Sequence, residues 1–308
     1  MSKTRYSIQT ARSCFRTWRN APRMLVLLGM IACFTIIYVI PFAENAKAMG
    51  ETLQITEAFT AMLNWRFSML LFSTSILLLF GDLPIIENFT GNALVKGSRK
   101  GWMIGQMIYV VATSFLLTLF IFAISVLVCL PNIHISDEWS KPVKLLALNG
   151  RIAISPERMK LPFQKSIIRN YTPWIAFAHS FSLFYLMGCF YGLATLALRM
   201  RFKTASFILL MLVNTVSWAM GMFDASMKAY AVLSMLSIHY HASLYLHGYM
   251  NANSMLPTLG ISYITLCGLM ILFIVFSFIF VRKYDYVQME AEHRSEERRV
   301  GKECRSRW

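Results

Sequence analysis

Residues 102–130, WMIGQMIYVVATSFLLTLFIFAISVLVCL, run for 29 positions without a charged side chain. Hydrocarbon offers no hydrogen bonds to a bare backbone, so a run of this kind crosses a bilayer as a helix. At about 1.5 Å per residue it is long enough for a core roughly 30 Å thick. Working outward, five more apolar runs of spanning length follow the same logic: 24–43, 63–83, 173–198, 204–223 and 256–281. Hydrophobic residues make up 56% of the 308-residue chain and charged residues 15%, against roughly a quarter charged in soluble domains. Mean hydropathy is +0.52. The expected fold is therefore an all-α polytopic membrane protein with six transmembrane helices.

The first run has a basic leader, and Ala46-Lys47-Ala48 resembles a signal-peptide cleavage site. Its apolar stretch exceeds the usual 7 to 15 residues and five spans follow it, so it reads as an uncleaved anchor. Segments facing the cytoplasm collect Lys and Arg. The leader holds Lys3, Arg5, Arg12, Arg16, Arg19 and Arg23; Lys96, Arg99 and Lys100 follow the second span; Arg199, Arg201 and Lys203 follow the fourth; Arg282 and Lys283 follow the sixth. Six spans put all four segments on one side and Glu44, Glu51 and Glu57 on the other. The expected placement is the plasma membrane with both termini cytoplasmic. The outer loop 131–172 resists this reading, since it carries seven basic and three acidic residues.

In that loop, Leu145-Leu146-Ala147-Leu148 and Arg151-Ile152-Ala153-Ile154 flank Asn149-Gly150. Asn-Gly is favoured where turn residues need positive φ, which predicts a small extracytoplasmic β-hairpin; a connector without regular structure is the alternative. Residues 1–23 read as an amphipathic helix on the inner membrane surface. Ile8, Ala11, Phe15 and Trp18 fall on one stripe, and Arg5, Arg12, Arg16 and Arg19 on an adjacent one that reaches anionic headgroups. Residues 224–255, with Tyr230, Tyr240, Tyr245 and Tyr249, read as an interfacial or re-entrant excursion outside the spans.

Chemical motifs are sparse. A phosphate-binding loop requires GxxxxGK followed by Ser or Thr, and none is present. Any ATP hydrolysis belongs to another chain, and neither catalytic residues nor a cofactor are expected in this one. His239, His241 and His247 form the histidine cluster, but on a helix positions 239 and 241 lie 200° apart; interfacial polar residues fit better than metal ligands. Charges within the spans reduce to Arg66 and Asp82 near the ends of the second, which speaks against a mid-membrane proton path. Gly188 and Gly192 form a GxxxG that permits close helix approach, inside one subunit or between two. The basic balance reads as topology and membrane contact, with no nucleic-acid partner.

Residues 294–308, RSEERRVGKECRSRW, resemble the translation of a short-read sequencing adapter and are set aside, leaving 284–293 as a short inner end. Without their six Lys/Arg and three Asp/Glu, net charge falls from +15 to +12. The five remaining cysteines, Cys14, Cys33, Cys129, Cys189 and Cys267, form no CxxC pair and read as small apolar side chains.

The join between the second and third spans is the most informative stretch. Phe80-Gly81-Asp82-Leu83-Pro84 is followed by Arg99-Lys100-Gly101-Trp102 and then Gly105-Gln106. This pattern, with the six-span layout over most of residues 2–292, resembles the permease subunits of type-2 ATP-binding-cassette exporters of bacterial type. The resemblance implies half of a translocation pathway, a second copy or related permease as dimer partner, and a separate ATPase. It implies that Glu87, Asn88, Lys96, Arg99, Lys100, Arg199, Arg201 and Lys203 lie on loops that dock the ATPase. The long outer loop departs from the pattern, and no role carries over to it. A membrane sensor or accessory subunit, and a transporter driven by an ion gradient, are the competing expectations.

Overall fold

The computed structural model describes residues 3–85, 98–150, 152–154, 163–220, 228–247 and 257–283. Helix α1 (Lys3–Asn20) leads into α2 (Pro22–Ala48), strand β1 (Leu53–Gln54), α3 (Glu57–Leu63) and α4 (Arg66–Phe80). Next come α5 (Arg99–Cys129), strand β2 (Ile133–His134), α6 (Lys141–Asn149), α7 (Lys165–Asn170), α8 (Pro173–Phe202) and α9 (Thr204–Met220). Helices α10 (Lys228–Leu236) and α11 (Ile238–Ala242), a 3-10 turn (Leu244–Leu246) and α12 (Leu259–Lys283) complete the chain.

Among the described residues, α2, α5, α8 and α12 are long and apolar enough to cross a membrane. Helices α3 and α4 make a fifth crossing if they count as one span bent by 81°. The break replaces the continuous helix expected at 63–83, and its cause is local. Asn64 turns its amide onto Thr60 O at 2.8 Å and Ser180 Oγ at 3.0 Å, while the Ser68 hydroxyl bonds the carbonyls of Met62 and Trp65. These side chains satisfy backbone groups that the interrupted helix leaves open. Helix α9 is apolar but has 17 residues, about 25 Å.

Helix α8 is the most buried of the long helices. Its glycines set the packing distance: a Cβ on Gly192 would lie 2.4 Å from Val110 of α5 and 3.0 Å from the Phe80 ring of α4, and one on Gly188 would lie 3.1 Å from Ser114 Oγ. The GxxxG thus serves packing within one subunit. A second glycine pair, Gly101 and Gly105 on α5, receives α1. A Cβ on Gly105 would stand 2.5 Å from Thr10 Cβ and 2.7 Å from Ser7 O, and one on Gly101 would stand 2.8 Å from the Tyr6 ring.

The ends of the helices gather in two layers. At one, Arg23 at the start of α2 pairs with Asp82 just past α4 and bonds Leu78 O. There too, Arg99 at the start of α5 donates to Arg282 O at the end of α12 at 2.8 Å. Opposite lies a layer built on strands. Strands β1 and β2 pair in parallel, Leu53 with Ile133 and Gln54 with His134.

Glu57 ties this second layer together. Its carboxylate accepts from Ser140 N (2.6 Å), Ser140 Oγ (2.6 Å) and Gln54 N (2.9 Å). Burial pushes its pKa up to about 7, while the donors from Ser140 and Gln54 and the charge of Lys144 pull down without reversing it.

The β-hairpin expected around Asn149-Gly150 is corrected: residues 141–149 are helix α6, and 152–154 are not a strand. Gly150 does adopt positive φ (64°), but as the left-handed residue ending α6, with its N–H on Leu145 O. Asn-Gly meets the needs of a primed turn and of a helix stop alike. Val143 and Ala147, one helical turn apart, are buried, so core contact selects the helix.

Gly105→Ala should cost roughly 1–3 kcal/mol, since its neighbours include backbone, whereas Gly29→Ala, with open space around it, should cost nothing; thermal unfolding of the two variants in detergent checks this. The raised pKa of Glu57 means that the folded layer binds its proton more tightly than the unfolded chain, so stability falls as pH rises from the ordinary carboxyl range through about 7. After correction for intrinsic rates, hydrogen exchange at Leu53 and Ile55, which donate to Asn132 O and His134 O, should be faster at about pH 8 than at about pH 5.5. Glu57→Gln should remove the difference.

Candidate functional site

The basic residues expected to meet a partner fall on the layer formed by the starts of α2, α5 and α9 and the ends of α4, α8 and α12. Glu87, Asn88 and Lys96 lie outside the described residues. Helix α5 opens at Arg99 because Ser98 caps it, its hydroxyl accepting from Gly101 N at 3.0 Å. Arg99 and Lys100 are therefore presented at a helix start, both exposed. Arg201 and Lys203 are exposed at the α8–α9 corner, and Arg199 is half-buried. Asp82 is the acid of this layer among the described residues, and it is engaged by Arg23.

The corner itself is strained. Lys203 alone separates α8 from α9, with φ 49° and ψ −129°, a backbone state that costs a side-chain-bearing residue roughly 1–3 kcal/mol. Its N–H donates to Arg199 O at 3.0 Å, and its carbonyl accepts from Ser206 Oγ at 2.6 Å and Ser206 N at 3.3 Å. These bonds hold the reversal in place, so the Lys203 backbone is fixed relative to both helices.

Helix α1 stands beside this layer. The stripe read from sequence as lipid-facing turns partly toward protein. Ser7 and Cys14 are buried together with Ala11, Phe15 and Trp18 are half-buried, and Ile8 is 56% exposed. The Ser7 hydroxyl donates to Gly101 O at 2.9 Å and Trp18 Nε1 to Tyr109 Oη at 2.7 Å; the Phe15 ring lies 4.9 Å from that of Tyr109. The register advances in the same sense along both helices, so α1 runs parallel to the first turns of α5. Glycines on α5 admit the side of α1 that carries its smallest residues, which rotates the buried stripe away from Ile8. Arg5, Arg12 and Arg16 stay exposed on the remaining face, and Arg19 continues their row by position.

A second constellation escaped the sequence reading. Between α4, α8, α9 and α11, Asn214 Oδ1 accepts from Tyr191 Oη (2.8 Å) and lies 2.9 Å from His239 Nε2, while Asn214 Nδ2 donates to Thr74 Oγ1 at 3.2 Å. The Ser237 hydroxyl, which accepts from Tyr240 N at 3.1 Å, donates to Ser217 O at 2.8 Å; His239 N donates to Ser217 Oγ at 3.0 Å. The signal was available: Asn214 and Ser217 stand one turn apart in a predominantly apolar helix. His241 does face elsewhere than His239, as the 200° separation requires; its Nδ1 lies 2.8 Å from Ser262 Oγ on α12. Among the described residues no cluster of three or more His, Cys, Asp or Glu is placed to hold a metal ion.

Compared with known proteins, the chain matches no family model, no curated protein and no solved structure.

Glycine adopts the Lys203 backbone without strain. Lys203→Gly should therefore raise the thermal midpoint by roughly 2–4 °C for each kcal/mol of strain relieved, while Lys203→Ala should not; differential scanning fluorimetry of the two variants decides it.

Proposed function

We propose that this chain is the membrane-embedded permease subunit of an ATP-driven exporter, supplying half of a translocation pathway and coupling to an ATPase on a separate chain. The observation that carries the reading is the basic layer. It presents Arg99, Lys100, Arg201 and Lys203 on the ends of α5 and α8, exposed, with its described acid already paired. The chain has no phosphate-binding loop of its own, and its join between the second and third spans resembles type-2 ATP-binding-cassette permeases.

On this reading the basic layer is cytoplasmic, six segments cross the plasma membrane, and both termini lie inside. Helix α4 with its preceding bend and the short α9 are the fifth and sixth crossings. The 87–100 join and the 199–203 corner dock the ATPase, and a second copy or a related permease completes the pathway. Helix α1 offers Arg5, Arg12, Arg16 and Arg19 to lipid headgroups. ATP binding by the partner favours one arrangement of the helices and product release the other, a population shift that requires no bond chemistry in this chain. The strained Lys203 corner suits a contact that transmits force, because its geometry is held by hydrogen bonds on both sides.

Transport driven by protons is the rival reading, and the buried Asn214–His239 pair favours it. It predicts transport in vesicles that contain this chain alone.

Tagged protein should bring down an ATPase, and vesicles holding both should hydrolyse ATP faster than the ATPase alone. Absence of both results rejects the function. Arg99→Ala with Lys100→Ala should weaken the association roughly 2- to 30-fold, the worth of two exposed charge contacts. Because Arg99 also bonds Arg282 O, Lys100→Ala alone separates docking from folding; unchanged association in both variants withdraws the docking surface.

A further inference from the structure

We propose that α11 and the 3-10 turn after it form an acid-released plug: three neutral histidines hold this segment inside the helix bundle, and their protonation lets it go. The segment is too short to span a membrane, yet it is enclosed. Ile238, His239, Tyr240, His241, Ala242, Leu244 and His247 are all buried, with α8, α9, α10 and α12 packed around α11.

Each histidine is held in a way that suits the uncharged ring. His239 places Nε2 on Asn214 Oδ1, an oxygen that cannot donate, so the proton sits on Nε2. Its Nδ1 is buried with no hydrogen-bond partner; a proton added there would create a buried N–H without an acceptor. His241 directs Nε2 to Met235 O at 2.9 Å, and His247 directs Nδ1 to Leu244 O at 3.2 Å. Both therefore turn a bare nitrogen toward Ser262 Oγ, at 2.8 and 2.7 Å. Ser262 has one proton to give and serves one ring as donor. An extra proton on the other ring would find an acceptor there, but among the described residues no carboxylate lies beside it to balance the charge.

Among the described residues, the groups around the segment are cationic or neutral. Helix α4 contributes Ser73, 3.4 Å from His239 Nε2, and Arg66, whose Nε donates to Tyr245 Oη at 2.9 Å. Helix α8 contributes His179, joined at 3.0 Å to Tyr263 of α12, and Tyr191, which reaches Asn214 of α9. The Tyr240 ring stands 5.6 Å from that of His247. Lys165 and Arg169 of α7, which borders the turn, are exposed. No carboxylate takes part among the described residues. Burial holds His239, His241 and His247 below the usual histidine range, and the neighbouring rings of His241 and His179 lower His247 further.

The direction follows from proton counting. The docked segment binds fewer protons than the released one, so docking is complete above the ordinary histidine value and weakens as pH falls below about 6.5. Release would uncover Asn214, Ser217 and Ser262 on α9 and α12 and open the space between those helices. This holds whether or not the chain couples to an ATPase.

Hydrogen exchange of the full chain in lipid nanodiscs, corrected for intrinsic rates, tests it at about pH 7.5 and about pH 5. Residues 238–247 should exchange at least roughly tenfold faster in acid, while the middle of α5 stays protected and β1 moves the opposite way through Glu57. The variant combining His239→Gln, His241→Gln and His247→Gln keeps neutral hydrogen-bonding groups and should lose the acid response; should it fail to fold, His239→Gln alone should diminish the response. Equal protection at both pH values overturns the proposal, as does an undiminished response in the glutamine variants. Loss of protection across α5 as well would mean general acid unfolding and equally overturns it.

Discussion

The close approach of α8 to α4 and α5 at Gly192 is the contact on which the rest of the bundle is arranged. A methyl group there would overlap Val110, and the Phe80 ring is almost as near. Between apolar helices in an apolar solvent, burial of hydrocarbon supplies little drive for association, and packing with hydrogen bonds must supply it instead. Gly192 and Gly188 permit the packing. Once three helices meet at this distance, α12 lies along α8, α2 along α5, and α9 fills the groove beside α4 and α8.

Hydrogen bonds between helices supply the second part. Asn64 joins α3 to α8, Asn214 joins α9 to α4, α8 and α11, and Ser262 joins α12 to α11. Each is a short polar side chain placed where helices meet, and each holds an element that is too short or too bent to be stable alone. Helix α11 has five residues, far below the length at which an isolated helix persists in water. It exists because its neighbours bond it, which is also why a change in histidine charge would act on this segment before any other.

The two end layers differ in how they treat charge. The basic layer leaves Arg99, Lys100, Arg201 and Lys203 exposed, and its acid among the described residues, Asp82, is engaged by Arg23. In the opposite layer the basic residues of loop 131–172 are drawn into local pairs, Lys141 with Glu51 at 2.7 Å and Lys144 with Glu138 at 3.2 Å. The positive charge of that loop, which sat awkwardly with its expected side, is thus partly balanced within the layer.

By itself the sequence determined the solvent of this protein and most of its long helices, because a charge-free run such as 102–130 has one stable form in hydrocarbon. The glycine pair at 188 and 192, the basic segments and the separation of His239 from His241 were equally legible, since each follows from local geometry. Tertiary structure decided the rest wherever local preference was satisfied by two answers. Asn149-Gly150 suits a hairpin turn or a helix stop, and the burial of Val143 and Ala147 chose the stop. The leader offers several faces to a partner, and the groove at Gly101 and Gly105 chose the one with Ser7 and Thr10. Asn214 and His239 are 25 residues apart, and their hydrogen bond joins two helices whose meeting no periodicity records. Pattern fixes what a segment must avoid; contact with distant residues fixes which of its remaining forms is kept.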